Sequence, residues 1–329
     1  MRAFVITGPG RAEVQDVAPP VAGPGEVVVS VERAGICGTD AEFYSGEMSY
    51  LHTGQASYPI RIGHEWCGRV AQVGPGVGPG WLGKRVTGDT MLGCGHCERC
   101  RSGRQHLCAD RYEIGIRHGW PGALAELLPV PEKALQLLPD GVDPTLGALV
   151  EPGGNALRAV RAANLTPGER LLILGPGTIG LLAAFIAAAD GAEVHMLGQR
   201  LDFARSVGVQ NAWTADQLPP LRWDAVIDAS TGPELPATAI ELVEPGRRVV
   251  YIGISAQPSL VDSRQLVFKD VTAVGILSAS GGLAGTIELY ASGAVDPRPL
   301  VGTTIGLDEV AAALRNWGSG RKIQVNPTA

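Results

Sequence analysis

The sequence predicts an α/β protein of two domains, the first mostly β and the second a doubly wound parallel sheet. Three observations predict it. At 329 residues the chain exceeds what one ordinary core fills. Its first half carries short β-rich runs cut by Gly and Pro, whereas from Leu171 strands alternate with helical stretches, the pattern of a parallel sheet covered on both faces. At the start of that second pattern, Gly175-Pro176-Gly177-Thr178-Ile179-Gly180 stands between an apolar strand and an apolar helix.

In chain order, strands are expected at Ala3–Ile6, Glu26–Val31, Arg69–Val73 and Lys84–Val86. The segment from Glu42 to Arg61 holds Tyr44, Tyr50, His52 and Tyr58 without periodicity and reads as a loop. Leu171–Leu174 is a buried strand, followed by the glycine loop and a helix running towards Asp190. Further strands are expected at Glu193–Leu197, Asp224–Asp228, Arg248–Gly253 and Val271–Gly275. A helix at Asp308–Asn316 and a strand at Lys322–Val325 close the chain. The expected division is a catalytic domain over 1–152, completed by 294–329, and a dinucleotide-binding domain over 153–293.

Composition narrows the function. A net charge of −6 and a pI near 5.6 argue against nucleic-acid binding, which needs a basic surface to displace counterions from phosphate. No charged-then-apolar leader stands at Met1–Phe4, and the most apolar run, Leu181–Ala189, is too short to span a bilayer. A soluble cytoplasmic protein without membrane contact is expected. The clustering of the six cysteines suits metal-bound thiolates in a reducing compartment.

Two groups of residues point to zinc. Cys94, Cys97, Cys100 and Cys108 can close a tetrahedral thiolate shell with no open position, which makes a structural site. Two disulfides are the alternative, disfavoured because thiols two residues apart pair poorly. Arg99, Arg101 and Arg104 are placed to offset the charge of such a shell, and His96 is not needed as a ligand. A zinc-stabilised module that binds nucleic acid or protein would share this loop, but such modules stand alone with basic surroundings. The second group is Cys37, in Gly35-Ile36-Cys37-Gly38-Thr39-Asp40, with His64 and Glu65 and a further carboxylate at Glu151. A thiolate, an imidazole and a carboxylate are what zinc accepts when a fourth position stays open for substrate. Each alone reads as an ordinary core or turn residue. Cys67 reads as core, and His106, His118 and His195 as structural.

In the glycine loop, Gly175 permits the tight turn, Gly177 lets a pyrophosphate approach the backbone, and Gly180 lets helix and strand pack closely. Thr178 and Ile179 open the helix whose N-terminus holds phosphate. Strands of this kind in NAD-binding folds end in an acid that accepts from the ribose 2′-hydroxyl. Here Leu197-Gly198-Gln199-Arg200 has none. Gly198 leaves room for a 2′-phosphate, while Gln199 can donate to it and Arg200 can pair with it, so NADP is expected over NAD. Asp202 opposes this if it neutralises Arg200.

The order of Cys37-Gly38-Thr39-Asp40, Gly63-His64-Glu65, the four-cysteine loop, Glu151-Pro152 and the Gly175 loop resembles the zinc-dependent medium-chain alcohol dehydrogenases over nearly the whole chain. The resemblance implies a GroES-like catalytic domain, a Rossmann domain, two zinc ions per chain, and a homodimer or homotetramer. Glu151-Pro152 looks like the polyol, sugar and threonine dehydrogenase branches, and Gly154-Asn155 like the threonine branch, which implies that Asn155 reaches the nicotinamide. It implies Cys37 and His64 as zinc ligands, Glu65 or Glu151 as the third, Thr39 as the first step of proton transfer, and Asp40 orienting His64. Glu42 departs from the histidine common there and resembles archaeal-type glucose dehydrogenases, leaving the relay beyond Thr39 open. The implied reaction passes hydride from an alcohol carbon to nicotinamide while zinc supplies Lewis acidity. Carboxylates at Glu42, Glu113 and Glu151 favour a hydroxyl-rich substrate if they face it, although surface exposure is the default for glutamate. A threonine-dehydrogenase-like or simple alcohol dehydrogenase is the enzymatic alternative.

Overall fold

A computed structural model of the protein describes residues 1–318 and 321–329. Its chain separates into two packed units, residues 1–151 with 301–329, and residues 152–300. The sequence places the return to the first unit at 294, whereas the packing places it at Val301. Residues 319–320, inside that C-terminal stretch, lie outside the described residues.

The first unit is built on a seven-stranded sheet in the order Val301–Ile305, Lys322–Val325, Glu26–Gly35, Glu65–Val73, Arg85–Gly88, Leu135–Leu137, with Leu127–Pro131 also paired to Glu26–Gly35. Glu26–Gly35 alternates Val27, Val29 and Val31 into a core that also holds Phe4, Ile36, Phe43, Trp66 and Leu128. Val28 on the other face is buried as well, so the strand is covered on both sides, and its pairing with Glu65–Val73 shifts register after Val28 and after Val31. The sequence reading did not anticipate Leu127–Pro131, Leu135–Leu137 or Val301–Ile305. Leu127–Pro131 carries two prolines, which remove ladder donors and mask the strand pattern.

One expectation is corrected outright. The stretch read as a loop from Glu42 begins inside a helix, Gly38–Ser45, and contains a second short turn of helix at Ser49–His52. Asp40 fixes the start of the first helix by accepting from the Cys37 N–H at 2.8 Å. Gly46, at φ 89°, ends it. Short helices set by caps carry little periodicity to read.

The second unit is a six-stranded parallel sheet in the order Ala212–Trp213, Glu193–Leu197, Arg170–Leu174, Trp223–Asp228, Val243–Tyr251, Thr272–Gly275. Numbered along the chain this is 3-2-1-4-5-6, the doubly wound arrangement in which ligands bind at the carboxyl ends of the central strands. Leu171 to Leu174 are fully buried on that central strand. The helix Thr178–Ala189 follows them and is apolar almost all round, as a helix packed in an interior must be. Among the described residues no helix is long and apolar enough to cross a membrane.

Candidate metal centre and dinucleotide loop

Cys37 ends the run from the strand Glu26–Gly35 into the helix Gly38–Ser45, and His64 and Glu65 open the neighbouring strand Glu65–Val73. Gly35 pairs with Glu65 across the two strands, which brings the three side chains to one end of the sheet. One ligand atom from each of Cys37, His64 and Glu65 lies within 4.8 Å of the other two. Glu151 does not join this group, although it is buried at the start of the helix Val150–Ala163 and its charge acts on His64. Asn155 stands one turn further along the same helix.

The electrostatics fit a cation. Burial would lower the His64 pKa, yet the Cys37 side chain, Asp40 and Glu151 raise it well above its ordinary value. Asp40 is fully buried and accepts from the backbone N–H of Cys37 and, at 3.2 Å, of Gly63. Its Oδ1 lies 3.8 Å from His64 Nδ1, an electrostatic contact beyond hydrogen-bond length. Asp40 thus fixes the backbone carrying both Cys37 and His64. The half-buried Thr39 hydroxyl has no hydrogen-bond partner among the described residues. A substrate hydroxyl could use it.

Sequence reasoning missed Lys322. This lysine opens the last strand, is buried, donates to the Ile36 carbonyl at 2.7 Å and forms an ion pair with Glu65. Burial alone would lower its pKa, and the nearby Glu65 and Cys37 outweigh that and raise it. The available signal was a charged residue inside an otherwise buried strand. Glu113 also departs from the surface default. It is 3% exposed and paired with Arg111 at 2.8 Å. Glu42, by contrast, is exposed on the helix Gly38–Ser45.

The four remaining candidates form a second group, with Cys94, Cys97, Cys100 and Cys108 offering sulfurs within 4.8 Å of one another. The Cys94–Cys100 and Cys97–Cys108 sulfur pairs are 3.9 and 3.8 Å apart. A disulfide needs about 2.05 Å, so the disulfide alternative fails, and all six cysteines are free thiols. Separations near 3.8 Å match the edge of a tetrahedron with bonds of about 2.3 Å, the zinc–thiolate distance. Backbone N–H groups of His96 and Cys97 aimed at the Cys94 sulfur pull its pKa down to about 6. That favours the thiolate at Cys94, whereas burial pushes the Cys100 thiol up to about 12. The one thiol outside either group, Cys67, is buried, donates to the Pro144 carbonyl and is pushed far up by burial. It is a core residue. His195, likewise structural, is satisfied by Glu193 and Trp213.

The glycines of the second unit divide their roles by space. Gly175 sits at φ 101°, and a side chain on Gly180 would run into the Gly175 carbonyl oxygen. Gly177 caps the helix Thr178–Ala189 and faces open space. A cradle left open at a helix N-terminus, which a larger side chain would fill, fits a pyrophosphate. Past the second strand, Gly198 is pressed against the ring of Pro176, and Gln199 and Arg200 are exposed, with Arg200 at φ 54°. Asp202 forms its ion pair with Arg205 at 3.7 Å.

Residues 23–140 match the alcohol dehydrogenase GroES-like domain family. A relative from Saccharopolyspora erythraea, L-threonine 3-dehydrogenase, is 35% identical over 84% of this chain and 83% of its own length. The chain belongs to the zinc-dependent medium-chain alcohol dehydrogenase family. It is a zinc-dependent oxidoreductase. Solved structures agree with this family and fold. An alcohol dehydrogenase from E. coli CFT073 in complex with NADH superimposes with a TM-score of 0.90 at 26% identity, covering 99% of both chains. A protein from Sinorhizobium meliloti 1021, described as a zinc-binding dehydrogenase and bound to NADP, gives 0.90 at 28% identity over 99% of both chains. Members of one fold thus hold either cofactor.

Proposed function

We infer that the protein transfers hydride between a secondary alcohol of a hydroxyl-rich substrate, a polyol, a sugar or a similar compound, and NADP. The observation that carries this reading is the grouping of Cys37, His64 and Glu65 within 4.8 Å in a member of this dehydrogenase family. Cys37 and His64 are assigned as zinc ligands. The same grouping supports Glu65 over Glu151 as the third ligand. Zinc held there would supply Lewis acidity to a substrate oxygen, and NADP would accept the hydride. Thr39 then takes the hydroxyl proton outward, while Asp40 holds the backbone of both ligands and faces His64. Glu151, buried beside them, is placed to accept from a substrate hydroxyl. Asn155, Gly175, Gly177, Thr178, Ile179 and Gly180 are assigned to the cofactor. The S. erythraea relative's activity on threonine, whose reacting group is a secondary alcohol, supports the reaction type.

NADP over NAD is supported by the strand end at Leu197-Gly198-Gln199-Arg200, which lacks an acid. A charge-assisted contact from Arg200 is typically worth about 1.5–3 kcal/mol, roughly ten- to a hundredfold in affinity. The reading extends to a second zinc on the four cysteines and to a cytoplasmic homo-oligomer, in keeping with free thiols. The deciding experiment is a panel of polyols, sugars, threonine and simple aliphatic alcohols with both cofactors, before and after Arg200→Ala. Turnover of simple aliphatic alcohols only would reject the substrate class. An NAD preference, or a cofactor ratio that Arg200→Ala leaves unchanged, would reject the cofactor assignment.

A further inference from the structure

In the second unit, the strand Thr272–Gly275 runs into a loop, residues 276–282, that is held in an uncommon shape. Ser278 sits at φ 68°, in the left-handed region that a side chain disfavours. One guanidinium nitrogen keeps it there. Arg158, on the helix Val150–Ala163, donates through Nη1 to the Leu277 carbonyl and, at 2.5 Å, to the Ser278 carbonyl. Two successive carbonyls are thus turned towards one cation. Because a trans peptide sets its N–H opposite its C=O, the Ser278 N–H faces away from that cation. Among the described residues, no group accepts from it. Leu277 is 39% exposed and Ser278 half-buried, so this part of the loop is open to a ligand. Beyond it the chain is pinned. The Gly282 N–H donates to the Ala279 carbonyl at 2.7 Å, and a Cβ on Gly154 would stand 2.9 Å from that of Ala279. A non-glycine residue in a disfavoured region persists only where its surroundings hold it, and such residues gather where ligands are clamped.

The place of the loop on the sheet says which part of a ligand it meets. Ligands of a doubly wound sheet bind beyond the carboxyl ends of its strands, and this loop leaves the carboxyl end of Thr272–Gly275. The glycine loop leaves Arg170–Leu174, three strands away, which is roughly 14 Å at the usual spacing between strands. The adenosine end of a dinucleotide is assigned to Leu197-Gly198-Gln199-Arg200, on the opposite side of Arg170–Leu174. From a pyrophosphate on the glycine loop, the other half must therefore run over the ends of Trp223–Asp228 and Val243–Tyr251, towards residues 276–278. A ribose and a ring cover such a span.

We propose that Arg158 is a positioning residue for the cofactor: by holding the Leu277 and Ser278 carbonyls, it presents the Ser278 N–H to the nicotinamide half of the dinucleotide without touching the cofactor itself. The carboxamide of that ring offers an uncharged oxygen, and a single backbone N–H is a matching donor for it. NAD and NADP share this half, so the role is the same for either. The proposal rests on the reading of the Gly175 loop as a pyrophosphate cradle and deepens it.

The test is calorimetric titration of the full chain with each dinucleotide and with its counterpart lacking only nicotinamide: NADP with 2′-phospho-ADP-ribose, and NAD with ADP-ribose. Arg158→Gln is expected to weaken the dinucleotide that the unaltered chain binds better by roughly fivefold to tenfold, about what one hydrogen bond is worth. Its counterpart without nicotinamide should stay within about twofold. Since a single nitrogen makes both carbonyl contacts, Arg158→Lys can reproduce them and should bring the dinucleotide back to within about twofold of the unaltered chain. Equal weakening of the two members of a pair would mark Arg158 as a brace for the whole unit and overturn the proposal. No weakening of either, or no recovery in Arg158→Lys, overturns it as well. In all three cases the pyrophosphate cradle stands. An unaltered chain that binds neither member of either pair rejects the cradle, and the proposal with it. Should Arg158→Gln fail to fold, amide hydrogen exchange on the unaltered chain decides. The dinucleotide should slow exchange at Ser278 and its counterpart should not, and equal rates with the two reject the proposal.

Discussion

Lys322 and Glu65 form a buried ion pair in which each side chain is only 2% exposed. Losing one partner of such a pair leaves the other charge uncompensated, at a cost of about 3–5 kcal/mol. Lys322→Met is therefore expected to destabilise the metal-free protein by about 3 kcal/mol in denaturant melts, and adding Glu65→Gln should recover more than half of that. A double variant no more stable than Lys322→Met would show that lost packing of the lysine stem, not the orphaned carboxylate, causes the effect. Cys37→Ala is expected to remove activity and leave the melting temperature of the metal-free protein within a few degrees, because a lone thiol contributes little to packing. The two residues also mark how far a site can be read from its sequence. Cys37 was legible because Thr39 and Asp40 stand beside it. Lys322 was not, since only the antiparallel pairing of the last strand with Ala34 and Gly35 delivers it to Glu65. Glu113 looked like an ordinary surface acid for the same reason, its partners Arg111 and Tyr50 being set by the turns around them.

At the scale of elements, the tight turn at Gly175 and the close packing at Gly180 were legible because their geometry is local, and the space around the loop predicts separable effects. Gly177 faces open space, so Gly177→Ala should leave the thermal midpoint unchanged while weakening NADP binding at least tenfold in a fluorescence titration. Gly180→Ala places a methyl group against the Gly175 carbonyl, so it should lower the midpoint by several degrees whether or not cofactor is present. Equal stability losses in the two variants would contradict this division of roles. The four-cysteine loop was legible for a related reason, since four ligands within one short segment need little help from the fold. Metal analysis of unchelated protein is expected to give two zinc ions per chain, and Cys97→Ser one, with a marked loss of stability. Finding one ion or none in the unaltered protein would reject the two-site assignment. The helix Gly38–Ser45 was lost to the sequence because its start depends on one carboxylate, Asp40, accepting from a backbone N–H, a contact that leaves no trace in hydrophobic periodicity.

For the molecule as a whole, the parallel sheet of the second unit ends in a strand that invites a partner. Thr272–Gly275 pairs with Val243–Tyr251 on one side and, among the described residues, with no strand on the other, and Thr272, Ala273 and Gly275 are exposed. The helix before it leaves Val267 and Phe268 at 77% and 79% exposure, and Ile254 and Leu260 are at 76% and 93%. Unpaired edge strands flanked by apolar side chains are rare on stable monomers, because they template association. A two-fold axis beside this edge would pair Thr272–Gly275 with the same strand of a second copy, antiparallel, and cover the same apolar residues on both subunits, as an isologous interface requires. The expected outcome is a homodimer, or a tetramer built from such dimers, in light scattering behind size exclusion. Phe268→Glu should split it into monomers with the fold retained, since a side chain this exposed contributes within about 0.5 kcal/mol to the isolated chain. An unaltered protein that elutes as a monomer, or a Phe268→Glu variant of undiminished mass, would place the subunit contact elsewhere or remove it.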